Sequence, residues 1–321
     1  MKNLIKQLLP AGIMLLFLPA ALKAQTDEDG IMMAKKNLCI GGTYSYSSWN
    51  NYWEGTFKRT NQNIGTVSTK MFGLMGTYGI TNKLNLVAGV PYIETRATAG
   101  TLHSQAGFQD LSAWLKWQAF QFRAGEGKLS LYAVGGGSLP LTNYIADYLP
   151  LSIGLQSKTL SGRILADYLL GKFFVTASGT YTWRSNITID RNSYYTTEEH
   201  LTNQVDMPDF TSWNVRTGYR SNSLVVEAVL SNMTTIGGFD IRKNDMPFPS
   251  NKMNATMLGG AFKYYIKGFE QLSIVGGGSY TVAGRNVGQS TMFDIGAFYI
   301  VDFTHARAKK RASSLHNNKT N

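Results

Sequence analysis

Residues 291–303 read TMFDIGAFYIVDF, and the apolar side chains of this stretch recur at every second position. Phe293 and Ile295 share one parity, whereas Asp294 and Asp302 share the other. Because successive side chains of a β-strand point to opposite faces, this pattern predicts a strand with one apolar and one polar face. Aromatic residues stand near both ends of the apolar face and smaller ones between them, which is typical of a strand that faces lipid.

Blocks of about ten residues with the same alternation recur along the chain, without a convincing helical period. An even number of antiparallel strands can close into a barrel that has no unpaired edge. The sequence therefore predicts an all-β chain that forms a transmembrane antiparallel β-barrel over residues 37–303. We predict twelve strands, which begin near residues 37, 67, 84, 109, 129, 159, 173, 210, 224, 255, 272 and 291.

The predicted connections alternate in length along the chain. In outer-membrane barrels the short turns lie in the periplasm and the longer loops outside the cell. This topology predicts that both termini are periplasmic. The short turns are residues 81–83, 121–128, 170–172, 221–223 and 267–271. The longer loops are residues 49–65, 97–107, 140–158, 185–209, 236–253 and 284–289.

The two ends of the chain differ from the predicted barrel. Residues 1–24 have two lysines followed by a short apolar run and a small residue, a pattern that predicts a signal peptide for export to the outer membrane of a Gram-negative cell. Residues 25–36 are predicted to be a short periplasmic segment that could tuck partly into the lumen. Residues 304–321 are polar and basic and are predicted to be a disordered tail.

The net charge of +11 does not indicate a nucleic-acid partner. Three lysines of the signal peptide and five basic residues of the tail account for eight of these charges, which leaves +3 for the rest of the chain. A basic domain that binds nucleic acid needs a concentrated positive surface. The predicted partners are instead outer-membrane lipid, a small-molecule solute and the machinery that assembles barrels.

The charged residues of the strands identify a candidate lumen. A charged side chain at the bilayer midplane costs about 2–4 kcal/mol if it faces lipid, so we take the more apolar parity of each strand as outward. Inward charges could line a selective aqueous path, or could pair with each other and fill a closed lumen; the sequence leaves both interpretations open. The predicted lumen-lining residues are Asp110, Lys116, Arg163, Asp167, Arg184, Arg216, Arg220, Glu227, Lys263 and Asp294.

Residues with catalytic potential are few. His200 follows two glutamates in the longest loop, but no spacing fixes a base beside a nucleophile, and no two histidines share a strand face for metal binding. We therefore predict no enzyme activity, no metal and no cofactor. A structural or adhesion barrel with functional outer loops is the main alternative, and a loop hydrolase around His200 is a further one.

Three segments carry a family resemblance: residues 78–84 (YGITNKL), 89–92 (GVPY) and 107–111 (GFQDL), the last followed by Lys116. Together they resemble the outer-membrane transporter family named for the MetA pathway of phenol degradation. The resemblance implies a barrel that helps small, often aromatic or hydrophobic, compounds to cross, without catalytic residues. The chain is more distantly similar to hydrocarbon and fatty-acid channels, but residues 25–36 are too few for the hatch domain of those channels.

Overall fold

Twelve long antiparallel strands form the fold. The structure is a computed structural model that describes residues 26–242 and 245–304. The strands are β1 (Asn37–Trp49), β2 (Val67–Thr81), β3 (Leu84–Ala97), β4 (Asp110–Ala124), β5 (Gly127–Pro140), β6 (Thr159–Leu170), β7 (Phe173–Arg184), β8 (Phe210–Arg220), β9 (Leu224–Thr235), β10 (Asn254–Tyr265), β11 (Leu272–Arg285) and β12 (Thr291–Asp302).

The sheet closes on itself, because β12 pairs with β11 on one side and with β1 on the other. At this seam Asn37 lies opposite Asp302 and Ser48 lies opposite Thr291. The other strands pair with their neighbours in chain order, so each of the twelve has two partners. The predicted all-β barrel of twelve antiparallel strands is confirmed.

One predicted turn is wrong. β4 continues to Ala124, so that the turn predicted over residues 121–128 shrinks to two residues between β4 and β5. Gln118 pairs with Tyr132 and Phe120 with Leu131, which leaves Ala119 as the extra residue of a β-bulge. The bulge exchanges the two faces of the strand, and Phe120 rather than Ala119 is exposed outside, at 65 %. The strict alternation assumed in the prediction does not allow for such an insertion.

The longer connections contain short strands of their own. These are Asn51–Glu54 paired with Phe57–Thr60, Ala106–Phe108 paired with β3, Ile187–Thr188 paired with Gln204–Val205, and Tyr194–Tyr195 paired with Glu199–His200. Three of the connections, residues 141–158, 185–209 and 236–253, share one apolar cluster and therefore form a common cap at this end of the barrel. The buried members of the cluster are Ala146, Ile187, Ile189, Tyr194, Val205, Met207 and Phe248.

The loop of residues 141–158 also folds inward against the wall of the barrel. Leu151 is fully buried, and its carbonyl oxygen accepts a hydrogen bond of 2.6 Å from the hydroxyl of Thr95 on β3. Ile153 packs against Ile93 of the same strand. Since Thr95 and Ile93 are buried positions on the inner face of β3, this loop covers part of the barrel mouth.

The outer surface of the barrel is apolar. Ile164 at the middle of β6 is 74 % exposed and belongs to a continuous band of exposed apolar residues. Proteins surrounded by water on all sides rarely expose an apolar band of this size. Exposed aromatic residues lie nearer the two ends of the strands: Tyr44, Tyr46, Trp183, Trp213 and Phe293 at the loop end, and Trp117, Phe173, Tyr264 and Tyr299 at the turn end. Aliphatic residues separate the two groups, as the sequence pattern predicted.

No helix within residues 26–242 and 245–304 is long and apolar enough to cross a membrane.

Candidate functional site

Two of the ten predicted lumen residues lie at the loop end of the barrel. Asp110, the first residue of β4, accepts a hydrogen bond of 2.6 Å from the hydroxyl of Tyr144 and so holds the loop that covers the mouth. Arg184, the last residue of β7, lies over the ring of Phe210 at 4.5 Å. The backbone amide of Arg184 donates to Asp209. The structure gives both residues contacts with the loop end of the barrel rather than with its middle.

Arg220 and Asp167 form an ion pair within the wall itself. Both guanidinium nitrogens of Arg220 on β8 lie 3.0 Å from the carboxylate oxygens of Asp167 on β6, a bidentate arrangement. Each side chain is 5 % exposed. Thr176 donates a further hydrogen bond to Asp167, and the guanidinium lies 4.1 Å from the ring centre of Phe174. The charge of Arg220 is therefore compensated by a carboxylate of the strands themselves.

Residues 26–36, which we call the N-terminal segment, enter the barrel from the turn end. The backbone amide of Lys36 donates to the carbonyl oxygen of Gly79 at 2.8 Å, and that of Lys35 donates to the side chain of Asn82 in the turn after β2. Further in, Met33 is 1 % exposed within a cluster of inward-facing apolar residues that includes Phe298. The sequence allows a segment that tucks partly into the lumen, and in the structure residues 26–33 lie among the inward-facing side chains.

The N-terminal segment surrounds the ammonium group of Lys116. This lysine, on β4, has no exposed side-chain surface. Its Nζ contacts the carbonyl oxygens of Thr26 at 2.9 Å and Ile31 at 3.0 Å, the carboxylate of Asp29 at 3.0 Å and the carbonyl oxygen of Asp29. All four oxygen atoms belong to the N-terminal segment. A buried lysine needs such partners to remain charged.

Two arginines extend the contact across the lumen. Arg163 on β6 donates to Asp27 at 2.7 Å and to Glu28 at 3.3 Å, and its third contact, at 2.7 Å, is to the hydroxyl of Thr180 on β7. Arg216 on β8 donates to Glu28 at 2.7 Å and to Glu227 on β9 at 2.8 Å. Glu28 therefore links β6 to β8 through the interior of the barrel.

Asp29 remains ionised in this environment. Burial of its carboxyl group raises the pKa, but the positive charges of Lys116 and Lys263 and the hydrogen bond from the backbone amide of Thr26 act in the opposite direction and hold the pKa of Asp29 at about 2. Because the folded-state pKa is depressed, this carboxylate stabilises the seated segment fully above its ordinary pKa of 3.8, and the contribution is lost as the pH falls from there through about 2.

Asp27, Glu28 and Asp29 are functional candidates that the sequence analysis missed. Charges were sought only on predicted strands, and these three residues precede β1. A signal was nevertheless present: the predicted lumen residues include six cations but only four carboxylates, and a run of three acids stands a few residues before the predicted barrel. Complementary charge between an excess of buried cations and a short acidic segment would have predicted the contact.

Two cavities remain beside the N-terminal segment, along the wall formed by β8 to β12. One, of 220 Å³, lies toward the turn end and includes Val225, Lys263 and Phe298 in its lining. The other, of 330 Å³, lies toward the loop end and includes Asn232 and Met292. The two share three lining residues, Arg216, Ala261 and Asp294, at the level where Arg216 contacts the segment. The contact of Arg216 with the segment therefore lies where the two cavities adjoin.

The histidine of the longest loop has a neighbour with a hydroxyl group. His200 Nε2 lies 2.9 Å from the hydroxyl of Thr196, and its ring stacks on that of Tyr194 at 4.7 Å. Within residues 26–242 and 245–304 no carboxylate contacts the other ring nitrogen. A hydrolytic triad needs a third group to orient the base, so the pair has only part of that geometry.

Comparisons with known proteins show the fold. No protein-family model matches the sequence, and no curated protein is significantly similar to it. The structure is similar to that of the COG4313 outer membrane channel from Pseudomonas putida F1, with a TM-score of 0.67, 14 % sequence identity, and coverage of 86 % of this chain and 100 % of that one. The translocator domain of the autotransporter NalP from Neisseria meningitidis (TM-score 0.42, 9 % identity, 85 % and 90 % coverage) and the NanC porin (TM-score 0.44, 8 % identity, 82 % and 98 % coverage) are more distant. The chain has the fold of an outer-membrane β-barrel.

Proposed function

We propose that this protein is an outer-membrane channel for the passive uptake of small molecules, and that the N-terminal segment narrows its lumen. The observation that carries the proposal is the pair of cavities of 220 Å³ and 330 Å³, which share three lining residues beside Glu28 inside a closed barrel. A wall that packed completely on itself would leave no such space. The segment that separates the cavities is held by ion pairs, hydrogen bonds and the apolar contacts of Ile31 and Met33. It is not a strand of the sheet, so it can leave without opening the sheet.

The orientation and export of the chain belong to the same proposal. We infer that the short turns and both termini face the periplasm and that the capped loop end faces outward, as in barrels of this topology. Residues 1–24, the proposed signal peptide, and residues 305–321 of the proposed tail lie outside the described residues. Lipid on the apolar surface, a small solute inside and the barrel-assembly machinery are the proposed partners, and nucleic acid is not among them. The proposal includes no catalytic step and no cofactor.

The lining of the cavity at the turn end supports hydrophobic or aromatic solutes. Met75, Val225, Val275 and Phe298 contribute apolar surface to it, beside the charged groups of Lys263 and Arg216. Binding sites for small molecules commonly combine an apolar lining with a few polar groups that fix orientation. The resemblance to the family of the MetA pathway agrees with this substrate class and stays a prediction.

Flux through proteoliposomes tests the proposal. We expect vesicles that contain the purified barrel to release small aromatic and aliphatic solutes faster than protein-free vesicles, with a cut-off at solutes larger than the cavities. Planar bilayers should show discrete conductance steps. A barrel that is correctly folded, by circular dichroism, yet gives neither release nor conductance even after residues 27–33 are deleted would refute the proposal.

A substitution of Ile164 tests whether the apolar band contacts lipid. Ile164→Arg places a charge at the middle of β6, and we expect it to lower the free energy of unfolding in lipid vesicles by about 2–4 kcal/mol. Leu201→Arg is the matched control, because Leu201 is 84 % exposed but lies in a loop. Equal effects of the two substitutions in urea titrations would contradict a lipid-facing position for Ile164.

A substitution of Gly30 tests the seat of the N-terminal segment without a change of charge. A Cβ atom at Gly30 would lie 2.1 Å from Cγ of Asp167, so Gly30→Val prevents the segment from lying against β6. We expect this variant to raise the ion conductance in planar bilayers. Gly135→Val is the control, since a Cβ there meets nothing within 4 Å. Conductance that is unchanged in Gly30→Val would show that the segment does not limit ion flow.

A further inference from the structure

Four cations inside the barrel differ in the origin of their partners. Arg220 is paired with Asp167 of the wall, and this pair is complete whether or not the N-terminal segment is present. Lys116 has all four of its oxygen contacts with the segment, and the two carboxylates that Arg163 contacts also belong to the segment. Arg216 divides its two ion pairs between the wall (Glu227) and the segment (Glu28).

The three cations that contact the segment, Lys116, Arg163 and Arg216, are arranged as an anion-binding site. Lys116 and Arg163 are 0 % and 5 % exposed in their side chains, and Arg216 is 15 % exposed. Charges that are buried to this extent are costly unless an opposite charge compensates them. In the structure no carboxylate of the described strands forms an ion pair with Lys116 or Arg163, so withdrawal of the segment removes the ion pairs of both. The wall is then complementary to an anion that comes from elsewhere.

The surroundings of these cations indicate which other chemical groups the bound anion would have. Arg163 lies 4.9 Å from the ring centre of Trp114, and Lys116 lies 5.5 Å from that of Tyr132, so aromatic faces border the charges. Asp29 and Arg216 line the 220 Å³ cavity together with the apolar side chain of Phe298. An anionic head could therefore occupy the place of the segment's carboxylates while an apolar body extends into this cavity.

We propose that Lys116, Arg163 and Arg216 form a binding site for amphiphilic organic carboxylates, for which the acidic N-terminal segment is a built-in competitor. This inference specifies the substrate class of the proposed channel. It rests on the proposed function only in that the ligand reaches the site through the channel. A carboxylate on the ligand replaces a carboxylate of the segment at the same nitrogen atoms. Binding of the ligand and release of the segment are thus one exchange reaction.

Three probes with the same apolar body test this site: 4-phenylbutyrate, 4-phenylbutan-1-ol and 4-phenylbutylamine. Equilibrium binding is measured on the full chain in nanodiscs, after subtraction of empty nanodiscs. The segment is neutralised in the variant D27N/E28Q/D29N. We expect this variant to bind 4-phenylbutyrate about tenfold more tightly than the unchanged chain, because the competitor is weakened. The affinity for the alcohol should change little. The affinity for the amine should fall, because the neutralised segment no longer offers negative charge to a cation.

Two further variants complete the experiment. E198Q/E199Q/D245N removes the same number of negative charges from exposed loop positions and should leave 4-phenylbutyrate binding unchanged. Addition of K116Q and R163Q to the neutralised segment should abolish the preference for the carboxylate over the alcohol. Folding of every variant is checked by circular dichroism in the same nanodiscs. Arg220 is left intact because its pair belongs to the wall.

The outcomes separate this inference from the proposed channel. Equal gains for the alcohol and the carboxylate in D27N/E28Q/D29N would overturn the anion site, because they would show only that space had been created. A carboxylate preference that survives K116Q and R163Q would overturn it as well. Carboxylate binding with the expected preference in a barrel that passes no solute would support the site and refute the channel. Solute flux without any carboxylate preference would do the reverse.

Discussion

Deletion of residues 27–33 should increase the single-channel conductance severalfold. These residues supply Asp27, Glu28 and Asp29 and the buried side chains of Ile31 and Met33, so their removal joins the space that they occupy to the two cavities beside them. Lys116, Arg163 and Arg216 then face water, and the wider path should favour anions over cations. The measurement is conductance and reversal potential under a salt gradient in planar bilayers.

Two controls belong with this deletion. E198Q/E199Q/D245N changes the total charge by the amount that the three acids contribute but leaves the lumen alone, and its conductance should equal that of the unchanged chain. Gly30→Val should fall between the two, because it unseats the segment without removing it. A deletion variant with unchanged conductance would place the narrowest point elsewhere and would turn attention to the loop of residues 141–158, whose Leu151 is buried at the barrel mouth.

The second large effect is expected from Asp167→Asn. This change keeps the shape of the side chain but removes the charge that compensates Arg220, and both groups are only 5 % exposed. Removal of one partner of a buried ion pair costs about 3–5 kcal/mol, because the other charge remains buried. We therefore expect the free energy of unfolding in lipid vesicles to fall by about that amount in urea titrations.

Two control variants, a double substitution and a substitution in an exposed ion pair, test whether the loss of stability comes from the buried charge. D167N/R220M removes the orphaned cation and leaves an apolar side chain against Phe174, so it should recover most of the lost stability. Glu94→Gln breaks the pair of Lys70 and Glu94, which are 44 % exposed, and should cost less than about 1 kcal/mol. A loss in D167N no larger than that in E94Q would show that the interior of the barrel is well hydrated at this level.

Much of the barrel could be predicted because period-two alternation and turn spacing are local properties. The starts of β1, β2, β3 and β12 coincide with the predicted residues. Ala119 shows the limit of this reasoning, since an inserted residue shifts the faces of a strand without any change in composition. The short strands of the longest loop were missed for a related reason. Each has two residues, and the apolar cluster that stabilises them draws on three separate loops.

The candidate site was predictable in part. Lys116, Arg163, Arg216 and Arg220 were assigned to the interior by parity alone, and the structure places them there. Parity contains no information about partners, so it could not separate Arg220, paired within the wall, from Lys116, paired with the segment. Sequence alone also could not decide between an open lumen and a filled one. In the structure the filling comes from chain outside the strands as well as from the wall.

The ion pairs of the N-terminal segment have a consequence for the order of biogenesis. Its partners are remote in the chain: Asp29 and Lys116 are 87 positions apart, and Glu28 and Arg216 are 188 positions apart. The segment is synthesised before all of these strands but cannot dock until β4, β6 and β8 have been laid side by side. Until these strands are in place, Asp27, Glu28 and Asp29 lack the partners that they have in the folded barrel. Docking of the segment therefore follows the pairing of β4 through β8.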